Sequence, residues 1–499
     1  MAMSGGQQIA ALLIIALFMV IPLAMGAIAG KKSIPTTEDY FVQGRGMGSV
    51  AVFFTVAATW WSAFAFMGSN SYFFLNGPLY WTAIAWNIFF GILYFVVGKK
   101  IWYFGKVNSL ITPKDFFMLH YGSEGLGNLV SIILLVFTLP YLQIQLTGGA
   151  YLIETASGGI IPYWLAALIF YLVIIIYVWS GGLRAVAWTD IFYGCLLFFG
   201  MIFAGLYIVN IDKVGGVTSM FDYIANTTPE KLTVGDNWML WISMFIVTPI
   251  GSFMGPQLWT RMYATKSHRL FNLMPFLLGF AAIAYVGSML VGNAGNILCP
   301  DIEQTDKILP TVLYQYAPFV LAAFIIACGA AAAMSTANSQ IHAMSALYTV
   351  DFHKRYINKN LSEKQLVWVG RWTILVLSAV AYVMCLTIPG LLVTIGLVAL
   401  AGAAQIMVPT MGALYWRKST TAGAVAGLVV GVGSLCCFTF HLITPPGVFS
   451  LAGGGNLLSL ILNVIVFVVV SCVTKPRSAE VMEVVQAQFD DFYDGKNMD

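Results

Sequence analysis

Val52-Phe-Phe-Thr-Val-Ala-Ala-Thr-Trp-Trp-Ser-Ala-Phe-Ala-Phe-Met-Gly68 carries no charge and belongs to an apolar run long enough to cross a bilayer, yet its middle is thin. Ala57, Ala58, Thr59, Ser62 and Ala63 leave little side chain there, and Gly68, Ser69, Asn70 and Ser71 follow. Two readings fit: a small-residue face for close helix packing, or a local break whose freed carbonyls can bind a cation. A second irregular stretch is Thr248-Pro-Ile-Gly-Ser-Phe-Met-Gly-Pro-Gln-Leu-Trp-Thr-Arg261. Its paired Pro and Gly at the end of an apolar run argue against a regular helix throughout; the plainer reading is a Pro-kinked helix without a site. The first stretch starts from one side of the membrane and the second from the other. An interrupted helix at the head of each of two such halves is the pattern of an inverted-repeat carrier.

The composition supports a bilayer as solvent. Of 499 residues, 59% are hydrophobic and 9% charged, and mean hydropathy is +0.84. A soluble domain carries about 25% charge, so a soluble enzyme, a disordered chain and a nucleic-acid binder are all excluded. Seven Cys and five His show no metal or disulfide spacing. No cleavable signal is evident, because the first apolar stretch is long and lacks a basic lead.

At about 20 apolar residues per crossing, about 13 stretches qualify: 8–28, 49–75, 78–98, 126–154, 160–180, 187–209, 237–259, 270–296, 311–347, 366–388, 391–416, 420–441 and 449–473. The fold expected is an all-α polytopic bundle. Of the 24 Lys and Arg, only Lys213, Lys231 and Lys307 fall on one side; the rest, from Lys31 and Lys32 to Lys496, share the other. The basic side is expected to be cytoplasmic, with the N-terminus outside and the C-terminus inside a cell membrane. Residues 1–475 read as one membrane domain and 476–499 as a solvated or amphipathic polar tail.

Two further features break the apolar rule. In 328–342, Ala332, Ser335, Thr336 and Ser339 recur at helical spacing on one face. Na⁺, a hard cation, wants about five or six oxygens. Two hydroxyls cannot complete that shell, so carbonyls from a broken partner are needed; the alternative is ordinary back-bonding of Ser and Thr. Asp190 is an acid in an apolar context, either a cation relay or a helix-start residue at the headgroups.

On these residues the chain resembles the sodium/solute symporter family over nearly its whole length. The most specific pieces are Ala330-Ala-Ala-Ala-Met-Ser-Thr336 and Thr349-Val-Asp-Phe-His-Lys-Arg-Tyr356. Trp179-Ser-Gly-Gly-Leu-Arg-Ala-Val-Ala-Trp-Thr-Asp190 and Glu38-Asp-Tyr-Phe41 with Gly44 and Gly46 add to them. The resemblance implies a LeuT-type core of two inverted five-helix repeats, 49–209 and 237–416, with 8–28 and 420–473 peripheral. It implies a Na⁺ site on the carbonyls of Ala58, Trp61 and Ala332 and the hydroxyls of Ser335 and Thr336. Asp190 resembles the acid on the family's inner sodium path. Where some members carry a Ser-Ser pair for a second ion, this chain has Asn338-Ser339, which favours one Na⁺ per substrate.

The substrate pocket is expected between the interrupted helices. Trp60, Phe64 and Ala65 replace the polar side chains of the sugar carriers, which disfavours a sugar. Gln145 resembles the pantothenate and monocarboxylate branches; Asn87, Gln257 and Trp259 complete the candidate set, each amide being equally open to an ordinary interhelical bond. The expected solute is a small, partly apolar carboxylate held by amides and helix N-termini, since no Arg falls inside a span core. His342 reads as a proton or substrate contact, or as a bundle hydrogen bond. The function expected is sodium-coupled import by a monomer or weak oligomer in the lipid bilayer, without nucleic acid. The alternatives are a proline-like amino-acid symporter, a proton-coupled carrier of the same fold, and a membrane sensor. No catalytic cluster supports an enzyme.

Overall fold

The computed structural model describes residues 4–30, 34, 36–388 and 390–498. Lys31, Lys32 and Asp499 lie outside the described residues. After α1 (Gly5–Gly30) and the short α2 (Thr37–Val42), α3 (Ser49–Trp60) passes through a non-helical joint and a wide turn (Phe64–Gly68) into α4 (Ser69–Asn76). α5 (Thr82–Leu93) and α6 (Lys99–Val107) form the next crossing, and α7 (Pro113–Tyr121) leads to α8 (Glu124–Ala156) and α9 (Tyr163–Val209). α10 (Gly216–Thr227) sits in the long loop before α11 (Trp238–Met254) and α12 (Pro256–Ala264). α13 (Arg269–Ala281), α14 (Ala284–Leu298), α15 (Ile308–Tyr316) and α16 (Phe319–Ala346) follow. The chain ends with α17 (Glu363–Thr387), α18 (Leu392–Ala404), α19 (Met407–Tyr415), α20 (Thr421–Thr439), α21 (Gly454–Val473) and α22 (Ala479–Tyr493).

Every expected apolar stretch contains a helix, and ten helices among the described residues are long and apolar enough to cross a membrane. The differences lie at the seams. The stretches 160–180 and 187–209 are two helical pieces joined without an intervening loop in α9, and they meet at Gly182 (φ 55, ψ −159). A side chain there would meet the Tyr40 ring and carbonyl at 2.9 Å, so glycine is needed twice, for conformation and for space. The stretch 311–347 divides at Ala317-Pro318 into α15 and α16, because proline removes a donor and restricts the residue before it. The inner segment expected as a loop after 347 stays wound to Ile357. The polar tail forms α22, whose Phe489 and Phe492 rings pack on Phe104 and Tyr103 at 4.9 and 5.2 Å.

Between membrane helices, packing rather than the hydrophobic effect supplies most of the attraction, so small residues mark the closest approaches. Gly287 of α14 lies against the backbone of α9, where an added Cβ would stand 2.0 Å from Met201 O. Gly251 of α11 lies as close to α18, 1.9 Å from Leu400 O by the same measure. The motif acid Asp351 is a fastening for this frame: wholly buried, it accepts from the Thr112 and Ser131 hydroxyls, each at 2.6 Å.

The loop between α14 and α15 is wedged into the bundle rather than lying over it. Thr305 Oγ1 meets Ser71 Oγ at 2.6 Å, and Asp306 Oδ2 accepts the first amide of α18, Leu392 N–H, at 3.0 Å. Burial raises the Asp306 carboxyl from its ordinary 3.8 to about 6, against the opposing pull of that amide. A folded-state value above the unfolded one means that this acid favours folding most below pH 4 and loses that contribution as pH rises through 6. Asp306→Asn is therefore expected to match wild type at pH 4 and to be the more stable protein at pH 8, by up to about 3 kcal/mol. Thermal unfolding across that range checks it; a constant difference between the two proteins refutes it.

Candidate functional site

Helix α3 ends because its next amides find other acceptors. Ser62 N–H turns back to Trp60 O at 3.1 Å, Ala63 N–H donates to Gln145 Oε1 at 2.9 Å, and Phe64 N–H donates to Ser62 Oγ at 3.1 Å. Ala65 N–H goes to Ser62 O at 2.9 Å. In a regular helix these donors would serve Ala58, Thr59, Trp60 and Trp61. The break is thus built from two side chains, Ser62 and Gln145, with Gly148 of α8 admitting the joint: a Cβ there would stand 2.6 Å from that of Ala63.

The carbonyls released at Ala58 and Thr59 face α16. Thr336 Oγ1 donates to Thr59 O at 3.1 Å and lies 3.4 Å from Ala58 O. Ala58, Ala332, Ser335 and Thr336 are all wholly buried. Ala332 stands in unbroken α16, so its carbonyl keeps its helical place. Ser335 donates to Asp190 Oδ1 at 2.6 Å. The structure brings Ala58 and Thr336 into direct contact and places Ser335 one bond from Asp190.

Asp190 is not at a headgroup surface; it is fully buried among four helices. The Thr55 hydroxyl donates to its Oδ2, and Arg261 Nη2 lies 3.4 Å from the same oxygen. Arg261, grouped by the reading of the basic residues with the cytoplasmic anchors, turns into the bundle interior. It is wholly buried on α12 and reaches Thr55 Oγ1 with Nε at 3.1 Å, Gln257 O with Nη1 at 2.9 Å and Ser339 Oγ with Nη2. Ser339 in turn meets Thr59 Oγ1 at 3.2 Å. One polar network therefore joins α3, α9, α12 and α16. A buried ion pair survives only when further hydrogen bonds offset its desolvation, and Thr55, Ser335 and Ser339 supply them. Sequence separation hid this pairing; the available signal was an arginine one helical turn past Gln257 together with a lone intramembrane acid.

The second interrupted helix breaks at Gly255 (φ −57, ψ 137), between α11 and α12, with Pro256 opening the second half. Its polar groups differ in occupancy. Thr248 Oγ1, Ser252 Oγ and Gln257 Oε1 are buried with no protein partner among the described residues. Thr248 and Ser252, one turn apart, were not singled out in the sequence although that spacing puts both on one face. Asn87 and Gln145 have their amides engaged: Asn87 Oδ1 accepts Trp60 Nε1–H at 2.6 Å, and Gln145 Nε2 donates to Tyr141 O at 3.0 Å.

Trp60 stacks on Phe90 with centroids 4.4 Å apart, and Phe64 packs near Trp86 and Tyr141, each at 6.3 Å. Ala65 is wholly buried beyond the joint. Trp259 departs from this group: its indole lies among Phe116, Phe117 and Tyr263. His342 lies against the rings of Tyr40 and Phe41 at 5.2 and 5.4 Å. Arg184 pairs with Asp39 at 2.7 Å.

Known carriers resemble this chain over most of its length. The chain is 29% identical over 466 residues to the sodium/pantothenate symporter of Haemophilus influenzae, covering 88% of this chain and 93% of that one. It is 27% identical over 437 residues to a sodium/proline symporter of Staphylococcus aureus, covering 84% of each. Among solved structures, a substrate-bound, outward-open Na⁺-coupled sialic acid symporter superposes with a TM-score of 0.79 at 19% identity, covering 94% of this chain and 98% of that one. The profile of the Sodium:solute symporter family matches residues 40–431. With most of its length under that profile and both helix breaks in place, this chain belongs to the sodium:solute symporter family.

Proposed function

We propose that this chain imports a small organic solute together with one Na⁺ by alternating access. The observation that carries the reading is the contact between the Thr336 hydroxyl and the two carbonyls freed at the α3 break, at 3.1 and 3.4 Å. A cation bridging the Ala58 and Trp61 carbonyls to Ala332 O, Ser335 Oγ and Thr336 Oγ1 would clamp α3 against α16, and Asp190 with Ser339 would line its path inward. Ion and solute couple if both favour the same conformations. The membrane potential contributes about 2.3 kcal/mol per charge per 100 mV, enough for roughly 50-fold accumulation. The halves 49–209 and 237–416 move against each other about this site. The basic side faces the cytoplasm, as the distribution of Lys and Arg favours, and the tail after 475 lies there with it.

The solute we assign is a small carboxylate of the pantothenate or monocarboxylate kind. Trp60 and Phe64 offer apolar walls, while Arg261 is committed to Asp190. The neutral side chains of Thr248, Ser252 and Gln257 are left to hold a charged or polar head. Uptake into proteoliposomes, with and without a Na⁺ gradient, tests the reading with pantothenate, lactate and proline as solutes. Thr336→Ala is expected to raise the half-saturating Na⁺ at least about tenfold, and Thr336→Ser to restore it. Ser335→Ala should act in the same direction. Unchanged Na⁺ activation in the Thr336→Ala protein would remove the assignment, whichever solute is carried.

A further inference from the structure

A polar cavity of about 190 Å³ lies between the end of α19 and the tail helix α22, lined by Arg417, Arg477, Gln486, Phe489 and Tyr493 among others. Arg477 is 7% exposed, and its guanidinium is only partly satisfied. Nη1 donates to His120 O at 2.9 Å and Nη2 to Arg417 O at 3.4 Å, whereas Nε is buried with no acceptor. Lys100 adds a third cation, its Nζ 3.7 Å from the centre of the Tyr415 ring and 3.1 Å from the Tyr493 hydroxyl. Among the described residues, none of these three cations forms an ion pair with a carboxylate. Charges so placed, one with an unused buried donor, call for an anion.

The cavity adjoins a second space of different character, with which it shares two wall residues. Tyr415 and Trp416 form part of its wall and also part of the wall of an apolar groove of about 350 Å³, lined by Ile250, Met411, Leu460, Val464 and Val468. Met411, Val464 and Val468 are 38, 43 and 40% exposed on helices that cross the membrane, so the groove opens to lipid. Tyr and Trp at the junction mark the level where headgroups meet acyl chains.

We propose that this paired site binds one anionic phospholipid, with its phosphate against Arg417 and Arg477 and an acyl chain in the groove beneath Tyr415 and Trp416. A free phosphate would fill the polar half alone; the adjoining groove selects a lipid. The site lies at the basic end of the bundle, where anionic headgroups and basic clusters meet. The tail helix α22 forms its outer wall, so the lipid would also fasten the tail to α19.

The full chain, purified in detergent, is titrated with phosphatidylglycerol and, separately, with phosphatidylcholine and inorganic phosphate. Bound lipid is counted by native mass spectrometry and stability is followed by thermal unfolding. One phosphatidylglycerol is expected to be retained and to raise the unfolding temperature. Arg417→Gln should bind it about fivefold more weakly, the worth of one basic residue at a membrane surface. Met411→Trp, which fills the groove and leaves the charges intact, should weaken retention as well. Lys359→Gln, an exposed cation elsewhere, should behave as wild type. Equal retention of phosphatidylcholine, equal loss in Lys359→Gln, or full stabilisation by inorganic phosphate would each overturn the assignment.

Discussion

Arg261→Gln is expected to cost about 3–5 kcal/mol of stability and to abolish transport, while Arg261→Gln combined with Asp190→Asn recovers much of the lost stability. Both side chains are wholly buried, and the guanidinium is the cation facing the Asp190 carboxylate. Removing it leaves a charge in a low-dielectric interior with, among the described residues, the Ser335 and Thr55 hydroxyls to solvate it. Neutralising both partners removes the uncompensated charge; hydroxyls that donated to a carboxylate can rotate to serve an amide. The expected signature is a coupling between the two substitutions of more than about 1 kcal/mol, read from thermal or chemical unfolding of the purified single and double variants. Simple addition of the two effects would mean that the pair is a neighbourly accident. Transport need not return with stability, since Asp190 also lies on the assigned ion path.

The second large effect is steric. Gly251→Ala should destabilise the protein by about 3 kcal/mol or prevent its accumulation in membranes. An ideal Cβ there would sit 1.9 Å from Leu400 O and 2.6 Å from Leu400 C. The obstacle is main chain, with no flexible side-chain tip to swing aside, so α11 and α18 must separate. Gly433→Ala is the matched control: it lies in α20 with nothing within 4 Å of the new methyl. It should be neutral or stabilising by about 0.5–1 kcal/mol through helix propensity alone. Equal behaviour of the two substitutions would show that the close approach of α11 to α18 is not obligatory.

Much of this architecture was legible in the chain because bilayers demand long apolar runs and tolerate irregular backbone only where protein re-satisfies it. The Gly and Pro of 248–261 and the small residues of 57–63 each admitted a break beside a plainer reading, a Pro kink in one and a packing face in the other. What stayed hidden was long-range partnership. Arg261 was counted with the cytoplasmic anchors because counting by loops ignores which way a side chain turns; its partner is far away in sequence, on α9. Gln145 read either as a solute-binding amide or as an interhelical hydrogen bond, and its side-chain oxygen accepts the Ala63 amide at the end of α3. Asp351 sits in the most recognisable motif and is held by Thr112 and Ser131. Thr248 and Ser252 passed unnoticed because a hydroxyl in a membrane helix is ordinary until its lack of a partner is seen. The joint within 160–209 was legible as well: Gly181 and Gly182 fall in the gap between the stretches 160–180 and 187–209, and Gly182 is where the helical path breaks.

The Gln145 bridge has a mechanical consequence. Ala63, just past the joint, is pinned to α8, whereas α3 before it is pinned to α16 and α9 through Thr336 and Asp190. The two pieces of this divided rod are gripped by different vices, and Trp61 and Ser62 are the stretch of chain between the grips. Torque carried along the chain from one piece to the other passes through those two residues. A change made on α8, far from any ion ligand, can therefore be felt as altered ion affinity through this short coupling as well as through the packing of α8 on α16.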